Sequence, residues 1–197
     1  MTTKIRMFKN HITNNEINEL PLYQFDGGVF VIDTFEKLDY YLPLIQEQKI
    51  LGFDTETKPM FKKGVVNQVS LLQLSSLHEA FLIRINKIGL PQEIIDILSN
   101  KEVKKIGLAI KDDIKALREK QDFESQSFID LQDFVKYFNI ESQSLKKIAG
   151  IVLNKRISKS KQVSNWEKEE LSEGQLLYAA TDAWVCLQIY KTLNQVI

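Results

Sequence analysis

The chain is poor in the residues that build disulfide-rich and zinc-binding proteins. Among its 197 residues there is one cysteine, Cys186, and there are two histidines, His11 and His78, neither at a spacing that suggests a metal site. A single cysteine cannot form an intrachain disulfide or a Cys-rich zinc site. Small disulfide-stapled secreted proteins and zinc fingers are therefore excluded, and a reducing, intracellular setting is expected.

The chain also lacks an excess of charge of either sign, and it lacks a long apolar run. Its 26 basic and 26 acidic side chains cancel, so a polyanionic partner must be attracted by local patches or by bound metal rather than by net charge. No stretch approaches the ~20 apolar residues of a membrane span. Residues 1–20 have no signal-peptide core. We therefore expect a soluble, cytoplasmic protein with no membrane partner.

What the chain does contain is typical of one globular domain, because 44% of its residues are hydrophobic and 26% are charged. We predict a polar arm over residues 1–25 and one α/β domain over residues 26–197. Predicted strands occupy residues 29–32, 50–54, 65–74, 80–85, 105–109 and 128–131. Predicted helices occupy residues 33–48, 91–98, 111–120, 132–138, 144–152 and 172–197. Neighbouring strands followed by alternating strands and helices indicate a mixed sheet.

An acidic pair ends the second predicted strand. Asp54 and Glu56 follow the apolar residues 50–53 and lie two positions apart. Because alternate residues of an extended chain point to the same side, both carboxylates can face one cleft. Taken alone, however, an Asp-x-Glu triplet is common, and simple solvation of the two side chains explains it better than a functional site does.

A second acidic position follows the strand predicted at residues 105–109. Asp112 and Asp113 open the next helix, where the helix dipole favours acidic residues in any protein. Asp113 lies three residues after Ile110 and four before Leu117, which places it on the packed side of the helix. We therefore favour Asp113 as the functional carboxylate, with Asp112 as the alternative.

A third patch lies on the last predicted helix. Tyr178 and Asp182 are four residues apart, so their side chains project from one helix face about one turn apart. Ala179 and Ala180 between them are small and let another group approach the helix closely. Seen alone, the pair is explained by a packed tyrosine and a surface aspartate.

Together, the three patches predict a metal site at Asp54, Glu56, Asp113 and Asp182. Carboxylates that converge on one cleft repel each other, and divalent cations relieve that repulsion. Ligand sets made only of oxygen suit Mg²⁺ or Mn²⁺ rather than Zn²⁺. Two such ions roughly 3.5–4 Å apart can activate a water and stabilise the leaving oxygen in phosphodiester cleavage. We expect two Mg²⁺ or Mn²⁺ ions.

These patches resemble the motifs of the DEDDy 3′–5′ exonuclease family, which includes ribonuclease D and the Werner-type exonuclease domain. Asp54 with Glu56 matches the first motif, Asp113 matches the second, and Tyr178 with Asp182 matches the third, Tyr-x-x-x-Asp.

The flanking residues are similar to the same family, and the similarity covers roughly residues 28–195. Residues 105–110 are similar to the lead-in to the second motif, although Ala109 stands where a glycine is frequent. Residues 164–166, 171–172 and 175–183 are similar to the C-terminal signature almost letter by letter.

The resemblance implies a single ribonuclease H-like α/β domain, a mixed β-sheet flanked by helices, that removes nucleotides from the 3′ ends of nucleic acid. It implies that Asp54 bridges both metals and that Glu56 and Asp182 complete the site of the metal carrying the attacking water. Asp113 is expected to act at the second metal. Tyr178 is expected to orient or deprotonate the water. Because the ordinary pKa of a phenol is about 10, we expect it chiefly to position that water.

Basic residues beside two of the motifs are candidate phosphate contacts. They lie in the acid-free loop before the third motif and in the loop after the first motif, and an ordinary solvated loop explains them equally well. The candidates are Lys155, Arg156, Lys159, Lys161, Lys58 and Lys62.

The expected partner is a single-stranded or frayed 3′ end. No motif encodes a contact with the 2′ position of a nucleotide, so DNA and RNA stay equal alternatives. A rival from another functional class is a catalytically inactive exonuclease-like fold that acts as a nucleic-acid- or protein-binding module. Such a copy is expected to have lost an acidic ligand or the tyrosine, and all five residues are present. No residue pattern predicts an oligomeric state.

Overall fold

The computed structural model describes residues 8–58 and 68–196. Within these ranges six strands form one mixed sheet in the order β1-β4-β3-β2-β5-β6. The strands are β1 (Gly28–Ile32), β2 (Ile50–Thr57), β3 (Val69–Ser75), β4 (Glu79–Ile83), β5 (Lys104–Gly107) and β6 (Phe128–Asp130). β3 pairs antiparallel with β2 and β4, and the other neighbours pair parallel. The mixed sheet expected from the sequence is confirmed.

Helices cover both faces of the sheet. They are α1 (Asn14–Asn18), α2 (Phe35–Gln46), α3 (Ile85–Ile88), α4 (Gln92–Ser99), α5 (Lys111–Lys120), α6 (Leu131–Phe134), α7 (Leu145–Leu153) and α8 (Glu173–Asn194), with a 3₁₀ turn over Val135–Phe138. α8 begins with a capping box, in which the Ser172 side chain accepts from the Gln175 amide and the Gln175 side chain accepts from the Ser172 amide. The predicted helices are present, and α1 and α3 are additional short turns.

The first long helix begins two residues later than predicted, at Phe35 rather than at residue 33. The Lys37 amide donates to Thr34 Oγ1 at 3.2 Å, so Thr34 is the cap of α2. Asp33 instead accepts from the Lys37 ammonium at 2.7 Å. The predicted start at residue 33 is therefore wrong, because Asp33 pairs with Lys37 and Thr34 provides the cap.

The central strand β2 divides the two halves of the core. Its residues alternate in direction, so Leu51 and Phe53 join the apolar cluster that includes side chains of α2, α4 and α5. Gly52, Asp54 and Glu56 point to the opposite face, which α8 covers.

At Gly52, α8 lies so close to β2 that no side chain larger than hydrogen fits between them. A Cβ added at Gly52 would lie 1.9 Å from the carbonyl oxygen of Ala183, so only glycine fits there. The neighbouring α8 residues Ala179 and Ala180 are also small and fully buried. The helix backbone therefore lies directly on the strand, which brings the third sequence patch beside the first.

The N-terminal segment packs onto the domain. Ile12, Ile17 and Phe25 are buried, and the Phe25 ring meets the Trp184 ring edge to face at 5.7 Å. The described part of the predicted polar arm, residues 8–25, is thus held by apolar contacts to α7 and α8. Of the strand predicted at residues 65–74, residues 65–67 lie outside the described residues.

Candidate active site

Three of the four predicted carboxylates meet between β2 and α8. Asp54 and Glu56 leave the end of β2 on the same side, and Asp182 faces them from α8. One oxygen of each carboxylate lies within 4.8 Å of the others. They line a cleft of about 210 Å³ together with Tyr178, one turn before Asp182. The alternation of an extended strand and the four-residue spacing on a helix account for this convergence.

The cleft disfavours three ionised carboxylates. Burial, followed by the charges of Asp182 and Asp113, raises the pKa of Asp54 well above its usual range. Burial and then the Asp54 charge raise the pKa of Glu56 to about 9. Burial also raises the pKa of Asp182, against the opposing effect of the Lys159 ammonium. Protonation or a bound cation must relieve this cluster.

A lysine from the loop before α8 enters the same cleft. The Lys159 ammonium donates to Asp182 Oδ2 at 3.0 Å and to the Tyr178 hydroxyl oxygen at 3.4 Å. It also lies 5.5 Å from the centre of the Tyr178 ring. Lys159 is therefore in contact with the carboxylate cluster itself.

The fourth predicted carboxylate, Asp113, lies on the other side of the sheet, beside Thr55, and is not among the described residues that line the cleft. Asp113, on α5, is half-buried and accepts a hydrogen bond from the Thr55 hydroxyl. Its charge helps to raise the pKa of Asp54, so the two carboxylates interact. Burial raises the pKa of Asp113 itself, against the effect of the Thr55 hydrogen bond. Asp112 is exposed, and the packed phase predicted for Asp113 agrees with the burial of Ile110 and Leu117.

Tyr178 is held as a neutral phenol. Burial and the adjacent Asp182 carboxylate raise the pKa of Tyr178 above its usual range. Its ring lies 6.0 Å from the ring of Trp166, which is fully buried, so Trp166 is a packing anchor. Tyr178 is thus suited to donate a hydrogen bond into the cleft as a neutral phenol.

The residues present fit a divalent cation. Asp182 Oδ1 is buried and has no hydrogen-bond partner among the described residues, although Oδ2 of the same carboxylate is bonded to Lys159. A buried carboxylate oxygen without a donor is costly, and a bound cation is one way to satisfy it. Because the converging ligands are all oxygens, Mg²⁺ and Mn²⁺ suit the site.

The other candidate phosphate contacts have partners of their own. The Lys155 ammonium lies 5.9 Å from the centre of the Tyr23 ring, and Arg156 Nε donates to the Leu20 carbonyl at 3.0 Å. Lys58 pairs with Glu167 at 2.9 Å. Of the last two candidates, Lys161 has no such polar partner among the described residues. Lys161 lies against Gly174 at the start of α8, and Lys62 lies outside the described residues.

Two features of the site had no signal in the sequence motifs. Thr55 stands between the two acids of the first motif, and the same alternation that groups those acids turns Thr55 toward Asp113. Lys159 comes from a loop without periodicity, so its entry into the cleft follows only from the folded chain. In the ranges that the structure describes, every helix is too short or too polar to span a lipid bilayer.

Comparison with known proteins agrees with this geometry. The chain is 32% identical over 189 residues to the mouse bifunctional 3′–5′ exonuclease/ATP-dependent helicase WRN, which covers 90% of this chain and 13% of that protein. It is 28% identical over 195 residues to the exonuclease mut-7 homologue of Aedes aegypti. That match covers 86% of this chain and 27% of the relative. The chain thus spans a small part of the length of these relatives.

A solved structure is also similar to this chain. The crystal structure of the Aedes aegypti Nibbler EXO domain is similar with a TM-score of 0.78 and 26% identity, over 88% of this chain and 92% of that one. The family model described as 3′–5′ exonuclease matches residues 29–197. The chain therefore belongs to the 3′–5′ exonuclease family.

Proposed function

We propose that this exonuclease hydrolyses phosphodiester bonds from the 3′ end of nucleic acid with two divalent cations. The observation that carries the proposal is the convergence of Asp54, Glu56 and Asp182, with a buried oxygen of Asp182 left without a donor. A purely structural acidic cluster has no reason to hold such an oxygen out of water.

Asp54, Glu56 and Asp182 would hold one ion, and Asp54 with Asp113 the other. Bound there, Mg²⁺ or Mn²⁺ would supply an acidified water and would stabilise the charge on the leaving oxygen. Thr55 donates to Asp113 and so fixes the orientation of that carboxylate.

Tyr178 is the positioning group for the attacking water. Its phenol keeps its proton, because burial and Asp182 raise its pKa. A protonated phenol at the wall of the cleft can donate a hydrogen bond to that water and so orient it toward phosphorus. Packing against the buried Trp166 fixes the ring in place.

The depth of the site favours a single strand. The side chain of Asp182 is only 3% exposed, so a terminal phosphodiester must enter the cleft to approach it. A paired terminal nucleotide has to unpair before it can do so. Lys155, Arg156, Lys161, Lys58 and Lys62 are proposed to contact phosphates further along the strand, and Lys159 a phosphate at the cleft itself.

A labelled-strand assay tests the proposal. Single-stranded DNA and RNA with a 5′ label are incubated with the protein and Mg²⁺, Mn²⁺ or excess chelator. We expect ladders that shorten from the 3′ end with either metal and no cleavage with chelator, and the faster ladder identifies the preferred sugar. Cleavage that continues in excess chelator contradicts the metal mechanism, and release of the labelled 5′ nucleotide contradicts the polarity. Strand binding without cleavage would favour the inactive binding module.

A further inference from the structure

The carboxylate cluster contains a cation supplied by the protein itself. The geometry points to Lys159 as the resident counter-cation of Asp182, which offsets the charge of that carboxylate when the cleft holds no divalent cation and must leave Asp182 when one binds. This inference rests on the proposed metal-dependent function.

The contacts of Lys159 place its ammonium inside the cleft. It bonds to Asp182 Oδ2 at 3.0 Å and to the Tyr178 hydroxyl oxygen at 3.4 Å. The side chain of Lys159 is 30% exposed and that of Asp182 is 3% exposed, so this is a largely buried ion pair. Among the described residues that line the cleft, Lys159 is the one basic side chain.

The other basic residues of the same loop behave differently. Arg156 ties the loop to the N-terminal segment through the Leu20 carbonyl, and Lys155 lies near the Tyr23 ring. Lys161 lies against Gly174. The loop is thus anchored at one end, and Lys159 is the member that reaches the acids.

A divalent cation and the ammonium need the same carboxylate. A buried ionised carboxylate without a cation is strongly unfavourable, so Asp182 stays ionised only with the ammonium or the divalent ion beside it. A divalent ion has twice the charge and binds oxygens of several carboxylates at once, whereas the ammonium reaches only Asp182 among them. The ion therefore displaces the lysine when its concentration is sufficient.

Displacement gives the lysine a second role. Once it leaves Asp182, the Lys159 ammonium lies at the mouth of a cleft with no intramolecular carboxylate partner. A phosphate of the incoming strand is then its natural ligand. Metal binding would thus precede tight binding of nucleic acid, and the phosphate contact expected of Lys159 depends on the metal.

The test compares Lys159→Met with Lys161→Met, a matched change in the same loop. Mn²⁺ affinity is measured at pH 8 from the free-ion electron paramagnetic resonance signal, and the unfolding midpoint is measured in chelator and in saturating Mn²⁺. We expect K159M to bind Mn²⁺ about tenfold tighter, as for a binding event that no longer breaks an ion pair. We also expect K159M to unfold roughly 5 °C or more below wild type in chelator, with the gap closing in Mn²⁺. K161M should match wild type in both measurements.

Unchanged or weaker Mn²⁺ binding by K159M overturns the inference while leaving the proposed function intact. If K159M does not fold in chelator, Lys159→Arg decides, because it keeps the charge. It should fold and bind Mn²⁺ about as weakly as wild type, and tighter binding by the arginine variant overturns the counter-cation role. Failure of the wild-type protein to bind Mn²⁺ at millimolar concentration refutes the proposed function and this inference together.

Discussion

The two faces of β2 differ in what they need to be stable. On one face, Leu51 and Phe53 are fully buried in an apolar cluster that the protein completes by itself. On the other face, Asp54 and Glu56 meet Asp182, and burial raises the pKa of each carboxyl group. Alternate residues of one strand thus point into two different environments. One is an apolar core that needs no ligand, and the other is an acidic site that a cation would stabilise.

The difference shows where stability and activity can be separated. Removing a side chain from the apolar face weakens folding, because nothing replaces the lost contacts. Removing a carboxylate from the acidic face relieves repulsion but takes away a ligand. A change on the apolar face should therefore lower stability, whereas a change on the acidic face should lower activity without lowering stability.

The largest effect should come from Asp113, the carboxylate that lies on the apolar side of the sheet beside Thr55. Asp113→Ala removes a proposed ligand and should abolish detectable nuclease activity. Asp112→Ala, its exposed neighbour, should retain most of the activity. Turnover of a labelled strand in saturating Mn²⁺ measures both. The reverse result would transfer the second-motif role to Asp112.

Tyr178→Phe should give the next largest effect, on turnover alone. The change keeps the ring and the four carboxylates and removes only the hydroxyl that positions the water. We expect turnover to fall by about 10²- to 10⁴-fold with little change in metal or substrate affinity. Wild-type turnover with saturating metal would make Tyr178 a packing residue only.

Phe53→Ala tests the apolar face. A fully buried phenylalanine replaced by alanine should lower the free energy of unfolding by about 3–5 kcal/mol. Tyr40→Ala is the control, since Tyr40 is 75% exposed, and it should change stability by no more than about 0.5 kcal/mol. Urea denaturation measures both variants. Equal stability of the two would mean that the core does not depend on this face of β2.

Thr55→Val tests whether the hydrogen bond between Thr55 and Asp113 contributes to metal activation. Valine keeps the shape of the side chain and removes the hydrogen bond to Asp113. Since a hydrogen bond to a charged group contributes about 1.5–3 kcal/mol, we expect at least about tenfold weaker metal activation, read from the Mn²⁺ concentration that gives half-maximal activity. An unchanged half-maximal concentration would show that Asp113 is oriented without Thr55.

The smallest effect should be a pH dependence of stability without metal. Burial and Asp54 raise the pKa of Glu56 to about 9 in the folded protein, above its ordinary value of 4.5. The folded chain therefore holds more protons than the unfolded chain between those values, so the unfolding midpoint in chelator should fall as pH rises from 5 to 9. Saturating Mn²⁺ should flatten this slope. A midpoint that rises with pH in chelator would contradict the raised pKa.

The sequence predicts the parts of the site that follow from regular periods. Asp54 and Glu56 share a face because strands alternate, and Tyr178 and Asp182 share one because a helix turns in just under four residues. The preference for Asp113 over Asp112 came from its phase with Ile110 and Leu117. The strands and long helices follow from the same local signals.

Other features depend on contacts between distant parts of the chain, and no local signal indicates them. Arg156 donates to Leu20, 136 residues away in sequence, and Phe25 packs on Trp184. Lys159 enters the acidic cleft from a loop with no periodicity. Such placements are set by the assembled core, so the sequence predicts the identity of these residues but not their partners.

The absence of a Cβ at Gly52 sets the distance between the two walls of the acidic site. Because the Ala183 carbonyl occupies the space of a Cβ there, the distance between strand and helix has a single value. Asp54 is fixed to one wall and Asp182 to the other, so the span available to an ion is a property of the backbone. Mg²⁺ binds oxygens at about 2.0–2.1 Å and Ca²⁺ at about 2.3–2.6 Å. We expect a site whose walls are held this close to distinguish ions by radius, with Gly52, two residues before Asp54, setting the distance.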